Sequence, residues 1–419
     1  PTNIIYVNSS ATGANDGTSW ANAYTSLQMA LTGATSGKDI WVAAGTYKPG
    51  TLTSDTFQLK AGVNIYGGFA GIETQKTQRN LTTNITILSG DLNNSNSADT
   101  SDSINIVKGA NTCIIDGFTI QYSYNTSFGG GGMFNENVSP TVNNITFSNN
   151  HSTGNGGAIS NLQSSSPIIN NVIFSSNSAI SNGGAMYNSF NSSPIINNAT
   201  FSSNSANNNG GAMFNSNSSS PSINSTNFSF NSATNSGGAI INAFSSSPVI
   251  NNSTFSSNNS STDGGAIHTR NSSLLTLTNV TFFNNSANNG SAINIRNSSS
   301  SIIKNSIFWG STTSMIYQNS GTLKIGYSNL QNGYSNINLD NSIAVVQNLD
   351  GILLDTNNFT SVGHNISADP LFSLNSLTLQ AGSPSINTGT SVGAPAKDII
   401  GTSRPQGSGY DMGAYEFIQ

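Results

Sequence analysis

Charge is the scarcest feature of this sequence. Only 7% of its 419 residues are Asp, Glu, Lys or Arg, against about a quarter in an ordinary globular domain. The 12 Lys and Arg residues form no cluster, which excludes the basic footprint that DNA or RNA binding needs. No uninterrupted apolar run reaches the roughly 18 residues of a membrane-spanning helix. One cysteine, Cys113, leaves no intramolecular disulfide to form. It lies within Thr112-Cys113-Ile114-Ile115 and reads as a small buried hydrophobe, not a reactive thiol. The chain opens at Pro1 with neither Met nor a signal peptide, as a processed, exported protein would and as a trimmed chain would too.

What is abundant is Asn and Ser, 65 and 71 residues, about a third of the chain. They fall into a repeat. A Gly-Gly-small or apolar step starts at Gly131, Gly156, Gly183, Gly210, Gly237 and Gly264, with a degenerate copy at Gly290. Pro140, Pro167, Pro194, Pro221 and Pro248 keep a period of 27. Phe147, Phe174, Phe201, Phe228, Phe255 and Phe282 keep the same phase, as do Asn150, Asn177, Asn204, Asn231, Asn258 and Asn285.

Each unit holds apolar bursts of three to five residues between polar turns. There is no room for a helix pair, and Pro with β-branched residues opposes helix. Val142, Ile169, Ile196, Ile223, Ile250 and Leu277 are always aliphatic, while the neighbouring site varies freely. That contrast is the inside–outside alternation of a strand. The period therefore predicts an all-β fold: a right-handed parallel β-helix with three short strands per turn, each turn stacked about 4.8 Å above the last. Asn143/Asn144 and their equivalents fall at a bend that requires a left-handed backbone. Stacked Asn side chains are expected to bond from turn to turn.

Composition divides the chain into an N-terminal cap and first turn (1–56), irregular turns (57–130), regular repeats (131–310), C-terminal turns (311–372) and a C-terminal cap (373–419). In the N-terminal cap, Ile4-Ile5-Tyr6-Val7 reads as a strand, and 23–31 as a short amphipathic helix with Tyr24, Leu27, Ala30 and Leu31 on one face. Eleven to thirteen turns are expected, from about 27 residues each.

Several stretches outside the repeat form specific motifs. At the start are Tyr6-Val7-Asn8, Gly17-Thr18-Ser19-Trp20-Ala21-Asn22-Ala23-Tyr24, Ile40-Trp41-Val42-Ala43-Ala44-Gly45-Thr46-Tyr47 and Leu88-Ser89-Gly90-Asp91. At the close are Ala368-Asp369-Pro370-Leu371-Phe372, Leu379-Gln380-Ala381-Gly382-Ser383-Pro384-Ser385-Ile386-Asn387 and Asp411-Met412-Gly413-Ala414-Tyr415-Glu416. These resemble secreted bacterial pectate-lyase-like β-helix surface proteins of the choice-of-anchor type. The Gly-Gly-Ala repeats are similar to those of polymorphic outer-membrane proteins and adhesins. The resemblance implies the fold and export to the cell surface, and says less about activity, because this fold hosts lyases, hydrolases, adhesins and structural parts. Members often carry a C-terminal sorting domain. The chain stops three residues after Glu416, so that domain is expected to be absent or removed.

A polysaccharide lyase of this shape needs acidic Ca²⁺ ligands and a Lys or Arg base, and a glycosidase needs paired carboxylates. From 137 to 262 there is no Asp, Glu, Lys or Arg. The remaining candidates are Asp263, His268, Arg270, Arg296 and Lys304, then Asp340, Asp350, Asp355, His364 and Asp369. Neither set has a carboxylate-pair pattern, and both read as solvated turns. The functional expectation is a non-catalytic extracellular, cell-surface structural or adhesive protein. Its partners would be surface glycans or copies of itself stacked end to end into a fibre. The alternative is a polysaccharide-binding module, or a lyase or glycosidase.

Asp91, Asp99, Asp102 and Asp116 surround an Asn- and Ser-rich loop and are the candidate Ca²⁺ ligands. Ile4, Ile5, Tyr6 and Val7, with Tyr415, Phe417 and Ile418, are the candidate self-association residues, as strands that join a neighbour's sheet or cap their own solenoid. Candidate glycan-contacting aromatics are Tyr122, Tyr124, Phe128, Tyr187, Phe190 and Phe244. Asp102-Ser103-Ile104 resembles a bacterial O-glycosylation motif. Ice binding is disfavoured because the site before each Phe, from Thr146 to Thr281, is not a regular Thr array.

Overall fold

Residues 3–127, 129–340 and 343–418 are described by a computed structural model. The chain is an all-β parallel solenoid of about 11 turns, with about 27 residues per turn. Two compact units divide it, Pro1–Ile195 and Ile196–Gln419, so the regular repeats are shared between them.

The first unit opens on the strand Ile4–Val7, parallel to Asp39–Ala43, with Ile4 opposite Asp39 and Val7 opposite Val42. The helix occupies Leu27–Gly33 and buries Leu27, Ala30 and Leu31, the face its spacing predicts. It starts later than expected because Tyr24 is extended. The Tyr24 N–H donates to the Tyr6 carbonyl (2.9 Å), and the Tyr24 carbonyl accepts from Asn8 (2.8 Å). Above this cap, Trp41 stacks on Phe69 at 4.7 Å, and Tyr6 and Trp20 pack against the same group.

A regular turn of this unit comprises Thr141–Asn143, Thr146–Ser148, His151–Ser152 and Ile159–Leu162. Each pairs in parallel with its equivalent one turn on: Val142 opposite Ile169, Phe147 opposite Phe174, His151 opposite Ser178, Ile159 opposite Met186. The turn thus holds four short strands where three were expected. Asn144, at φ 50°, breaks one sheet segment into two halves that stay in the same sheet. Asn tolerates that left-handed backbone, and Asn171 repeats it at φ 55°. The Gly-Gly step makes the second bend. Gly156 sits at φ 67°, and a Cβ on Gly157 would overlap the carbonyl oxygen of Gly184 in the adjacent turn.

Two Asn ladders run inside this unit. Asn150 donates to Asn177 Oδ1 (3.0 Å) and to the Ile120 carbonyl (2.9 Å), with both carboxamides fully buried. Asn135, Asn161 and Asn188 form a second chain of carboxamide bonds at 2.8 Å each. The second ladder follows Met and Ile in the Gly-Gly segment and was not anticipated.

In the second unit, Phe201, Phe228, Phe255, Phe282 and Phe308 stack with ring centroids 4.7 to 5.0 Å apart. Asn204, Asn231, Asn258 and Asn285 repeat the buried ladder. The bend equivalent to Asn144 falls at Asn252, inside one continuous strand, Val249–Ser256. The solenoid continues through Ser300–Lys304, Ile307–Trp309, Thr322–Gly326 and Val345–Gln347. The C-terminal segment folds back onto it. Met412 packs with Ile307 and Leu379, and Asn279 Nδ2 donates to the Asp411 carbonyl at 3.0 Å. Arg404 and Glu416 form a fully buried ion pair at 2.6 Å, and the Ala414 N–H donates to Thr281 Oγ1 at 3.0 Å. The closing motif thus packs against successive turns of the solenoid: Met412 and Ala414 are buried, Glu416 pairs with Arg404, and Asn252 Nδ2 donates to the Lys397 carbonyl.

Candidate functional site

The charged residues come first, because they carry any catalysis or metal binding. Asp91 accepts the backbone N–H groups of Ser95 (3.0 Å) and Asn96 (2.9 Å). Asp102 accepts those of Leu92 (3.1 Å) and Asp99 (2.8 Å), and Asp99 accepts that of Ser101 (2.8 Å). These carboxylates build the loop 92–101 from within. Burial pushes the Asp102 carboxyl up to about 6, with the charges of Asp99 and Asp91 adding to it. Asp116 does not join them: it pairs with Arg79 at 2.8 Å and accepts Asn144 Nδ2 at 2.9 Å. The expected Ca²⁺ set of Asp91, Asp99, Asp102 and Asp116 is thus not assembled as a group. Among the described residues no three His, Cys, Asp or Glu side chains are placed to hold a metal ion. Ser103, the hydroxyl of the O-glycosylation-like motif, is fully buried, and so is Cys113, whose thiol pKa burial raises.

In the second unit, Asp263, His268 and Arg296 do come together. Arg296 binds Asp263 at 2.9 Å and Asn294 Oδ1 at 3.2 Å, and lies 4.8 Å over the Tyr317 ring. Asn294 Nδ2 donates to Asp263 Oδ1 at 3.1 Å, and its Oδ1 meets His268 Nδ1 at 3.1 Å. Arg270 has a buried Nε without a partner. Lys304 is elsewhere, donating to the Val392 carbonyl at 2.9 Å. Asp340 serves Asn319 (2.8 Å), while Asp355 and Asp369 accept backbone N–H groups in their own turns. Asp350 and His364 line a small hollow of about 160 Å³ beside Tyr327. The Asp263 carboxylate is thus taken up by Arg296, Asn289 and Asn294.

That network makes one prediction. Burial, then the charges of Arg270 and Arg296, lower the His268 pKa to about 3. The unfolded chain, near 6.5, takes the proton first. Stability from the neutral ring is therefore full above pH 6.5 and lost as pH falls toward 3. His268→Asn, which copies Asn294 one turn on, is expected to remove about 3 kcal/mol of the acid-induced loss between pH 7 and pH 4.5. Urea midpoints of both proteins at the two pH values check it.

The candidate self-association strands are already occupied. Ile4–Val7 pairs with Asp39–Ala43 on one side. On the other, Tyr6 N–H donates to Gly17 (3.0 Å), and Tyr24 covers Tyr6 and Asn8. At the C-terminus, Glu416 and Phe417 N–H groups go to Asp398 (3.0 Å) and Asp411 (2.6 Å), and Phe417 packs on the Met412 core. Ile418 alone is exposed. Of the candidate self-association residues Ile4, Ile5, Tyr6, Val7, Tyr415, Phe417 and Ile418, the strand Ile4–Val7 and the Phe417 N–H thus have backbone partners within the chain.

The aromatics are distributed unevenly. Phe190 and Phe244 are about half exposed on left-handed turns, Tyr187 is half-buried in its sheet, and Phe128 lies outside the described residues. Tyr122 and Tyr124 converge. Together with Asn96, Asn149, His151 and Ser178 they line a cleft of about 430 Å³ in the first unit. The Tyr124 ring lies 4.9 Å from the His151 ring, and His151 Nδ1 is 2.8 Å from Ser178 Oγ. Burial lowers the His151 pKa. Among the described residues no Asp, Glu, Lys or Arg side chain lines this cleft.

Sequence comparison adds two family matches. A family of unknown function, DUF1565, matches residues 10–218, and the Chlamydia polymorphic membrane protein repeat matches residues 252–270. No curated protein matches the sequence. Among solved structures, pectate lyase Pel9A is similar with a TM-score of 0.56 and 16% identity, over 99% of this chain and 96% of that one. A family 28 exopolygalacturonase of Yersinia enterocolitica gives a TM-score of 0.25 and 12% identity, over 84% and 79%. The first likeness shows the fold. The chain has a pectate-lyase-like parallel β-helix fold, and one stretch of it, residues 252–270, matches the polymorphic membrane protein repeat.

Proposed function

We propose that this protein is a non-catalytic adhesive β-helix, acting outside the cell or at its surface by holding extracellular glycans. The observation that supports it most is the use made of the carboxylates. Asp91, Asp99 and Asp102 bind backbone N–H groups, Asp116 and Asp263 bind arginines, and Glu416 neutralises Arg404. A glycosidase needs two carboxyl groups facing one bond, and a lyase a base beside its cation. Neither arrangement is built from these residues. What remains is long faces of Asn, Ser and Thr, suited to many weak polar contacts with hydroxyl-rich polymers.

Affinity electrophoresis through gels containing neutral or acidic polysaccharides tests this reading, with a parallel assay for new reducing ends and unsaturated uronates. Retardation by at least one polysaccharide without cleavage is expected. Cleavage of any of them overturns the non-catalytic assignment.

A further inference from the structure

We infer that the cleft beside Tyr122 and Tyr124 is a binding site for an uncharged sugar ring of an extracellular glycan, which rests on the adhesive reading above and names its ligand. The cleft's floor is two adjacent columns of the solenoid across three turns, Tyr122–Asn149–Ser176 and Tyr124–His151–Ser178. That spans two strand spacings, about 10 Å. Its wall is the tip of the loop 92–101, held rigid by the aspartates beneath it. A volume of about 430 Å³ lies within the range of small-ligand sites.

Three features select a sugar. Tyr122 takes a left-handed backbone, φ 62°, at a turn position where the next two turns place Asn149 (φ 53°) and Ser176 (φ 55°). That conformation costs a residue with a Cβ roughly 1–2 kcal/mol, and Asn tolerates it better. Phe230 holds the same backbone further along this column (φ 55°), so it is the convergence of Tyr122 with Tyr124 under the loop 92–101 that sets this position apart. Tyr124 is fixed by its contact with His151, which is fixed in turn by Ser178. Tyr122 and Tyr124, both half-buried, bring aromatic surface of the kind that suits the C–H face of a pyranose. The carboxamides of Asn96 and Asn149 and the serine hydroxyls supply both donors and acceptors for sugar hydroxyls.

The charge balance selects an uncharged one. Among the described residues no cation lines the cleft. The nearby Lys48 ammonium is held by Asn94 Oδ1 (2.8 Å) and the Leu92 carbonyl (3.4 Å) on the same loop. Asp91, Asp99 and Asp102 stand behind the wall, so a uronate carboxylate entering here would meet like charge with no partner.

The test is titration of the full chain with neutral gluco-, manno-, galacto- and xylo-oligosaccharides, and with oligogalacturonate and oligoalginate. Tyr122→Asn and Tyr124→Ala serve as variants. Tyr122→Asn restores the residue preferred at that backbone angle, so its melting temperature is expected to be unchanged or raised. Binding of at least one neutral series is expected, weakened tenfold or more by each substitution. Binding of the acidic series alone overturns the uncharged-ring assignment and leaves the adhesive reading standing. Neutral binding that is indifferent to Tyr122→Asn overturns the site. Binding of no series, with no retardation in polysaccharide gels, overturns the adhesive reading together with the inference.

Discussion

Asn231→Ala is expected to cost about 4 kcal/mol or more, although it deletes only a carboxamide. Asn231 Oδ1 accepts both the Asn204 N–H (3.1 Å) and Asn204 Nδ2 (3.0 Å). Its Nδ2 donates to the Phe201 carbonyl (2.9 Å) and to Asn258 Oδ1 (2.9 Å). All four partners lie in the same unit, and the carboxamides of Asn204, Asn231 and Asn258 are fully buried. Each buried polar group left without a partner costs roughly 1–3 kcal/mol, and water reaches this site only by opening the coil. A protein of this length loses about 1 °C per kcal/mol, so the melting temperature should fall by about 5 °C, with a matching drop in the urea midpoint. Asn251→Ala provides the contrast. Its Nδ2 donates to Asn224 Oδ1 at 3.1 Å from a half-buried position in the strand Val249–Ser256, and its loss should stay within about 1 kcal/mol. Equal effects of the two substitutions would mean that the interior ladder carries no more weight than the outer one.

Phe228→Ala is expected to destabilise by about 3–5 kcal/mol, through the lost burial and the cavity left behind. The ring is fully buried between Phe201 at 4.8 Å and Phe255 at 4.7 Å, with interplanar angles of 9° and 2°. A stacked column cannot collapse to fill the gap, because the backbones above and below are fixed by their own in-register pairing, Phe201 opposite Phe228 and Phe228 opposite Phe255. Phe228→Leu keeps most of the volume and should cost about half as much. A cost below about 1 kcal/mol for Phe228→Ala, read from urea midpoints, would show that the stack relaxes.

The repeat itself was legible because its physics is periodic. Phe147, Val142 and Asn144 recur at 27 residues, and each contacts or mirrors its own equivalent. The second Asn ladder was not read, because Asn135 and Asn161 sit in a segment whose Gly-Gly and Met or Ile positions dominate the pattern. The fourth strand was missed because a left-handed Asn interrupts a strand without ending its sheet. The aspartates misled for a different reason. Oxygen-rich spacing in 91–102 is equally compatible with a cation and with backbone N–H donors, and only the folded loop shows which partner each oxygen takes. The ends left two roles open in the sequence. Ile4–Val7 reads as a strand in either role, and the segment that covers it, Gly17 to Tyr24, carries no strand pattern of its own.

The sequence by itself determined the solenoid: its period, its inward aliphatic and Phe columns, its Asn bends and its lack of charge. These are relations between a residue and its copy one turn away, so phase alone specifies the contact. Only the tertiary structure decided where the non-repeating parts lie. It laid the loop 92–101 over Tyr122 and Tyr124, buried Arg404 against Glu416, and joined Asp263 to Arg296. Such contacts pair unlike segments at no fixed spacing. Their energy depends on burial and on which hydrogen-bond partners remain free, and neither is written in the order of the residues.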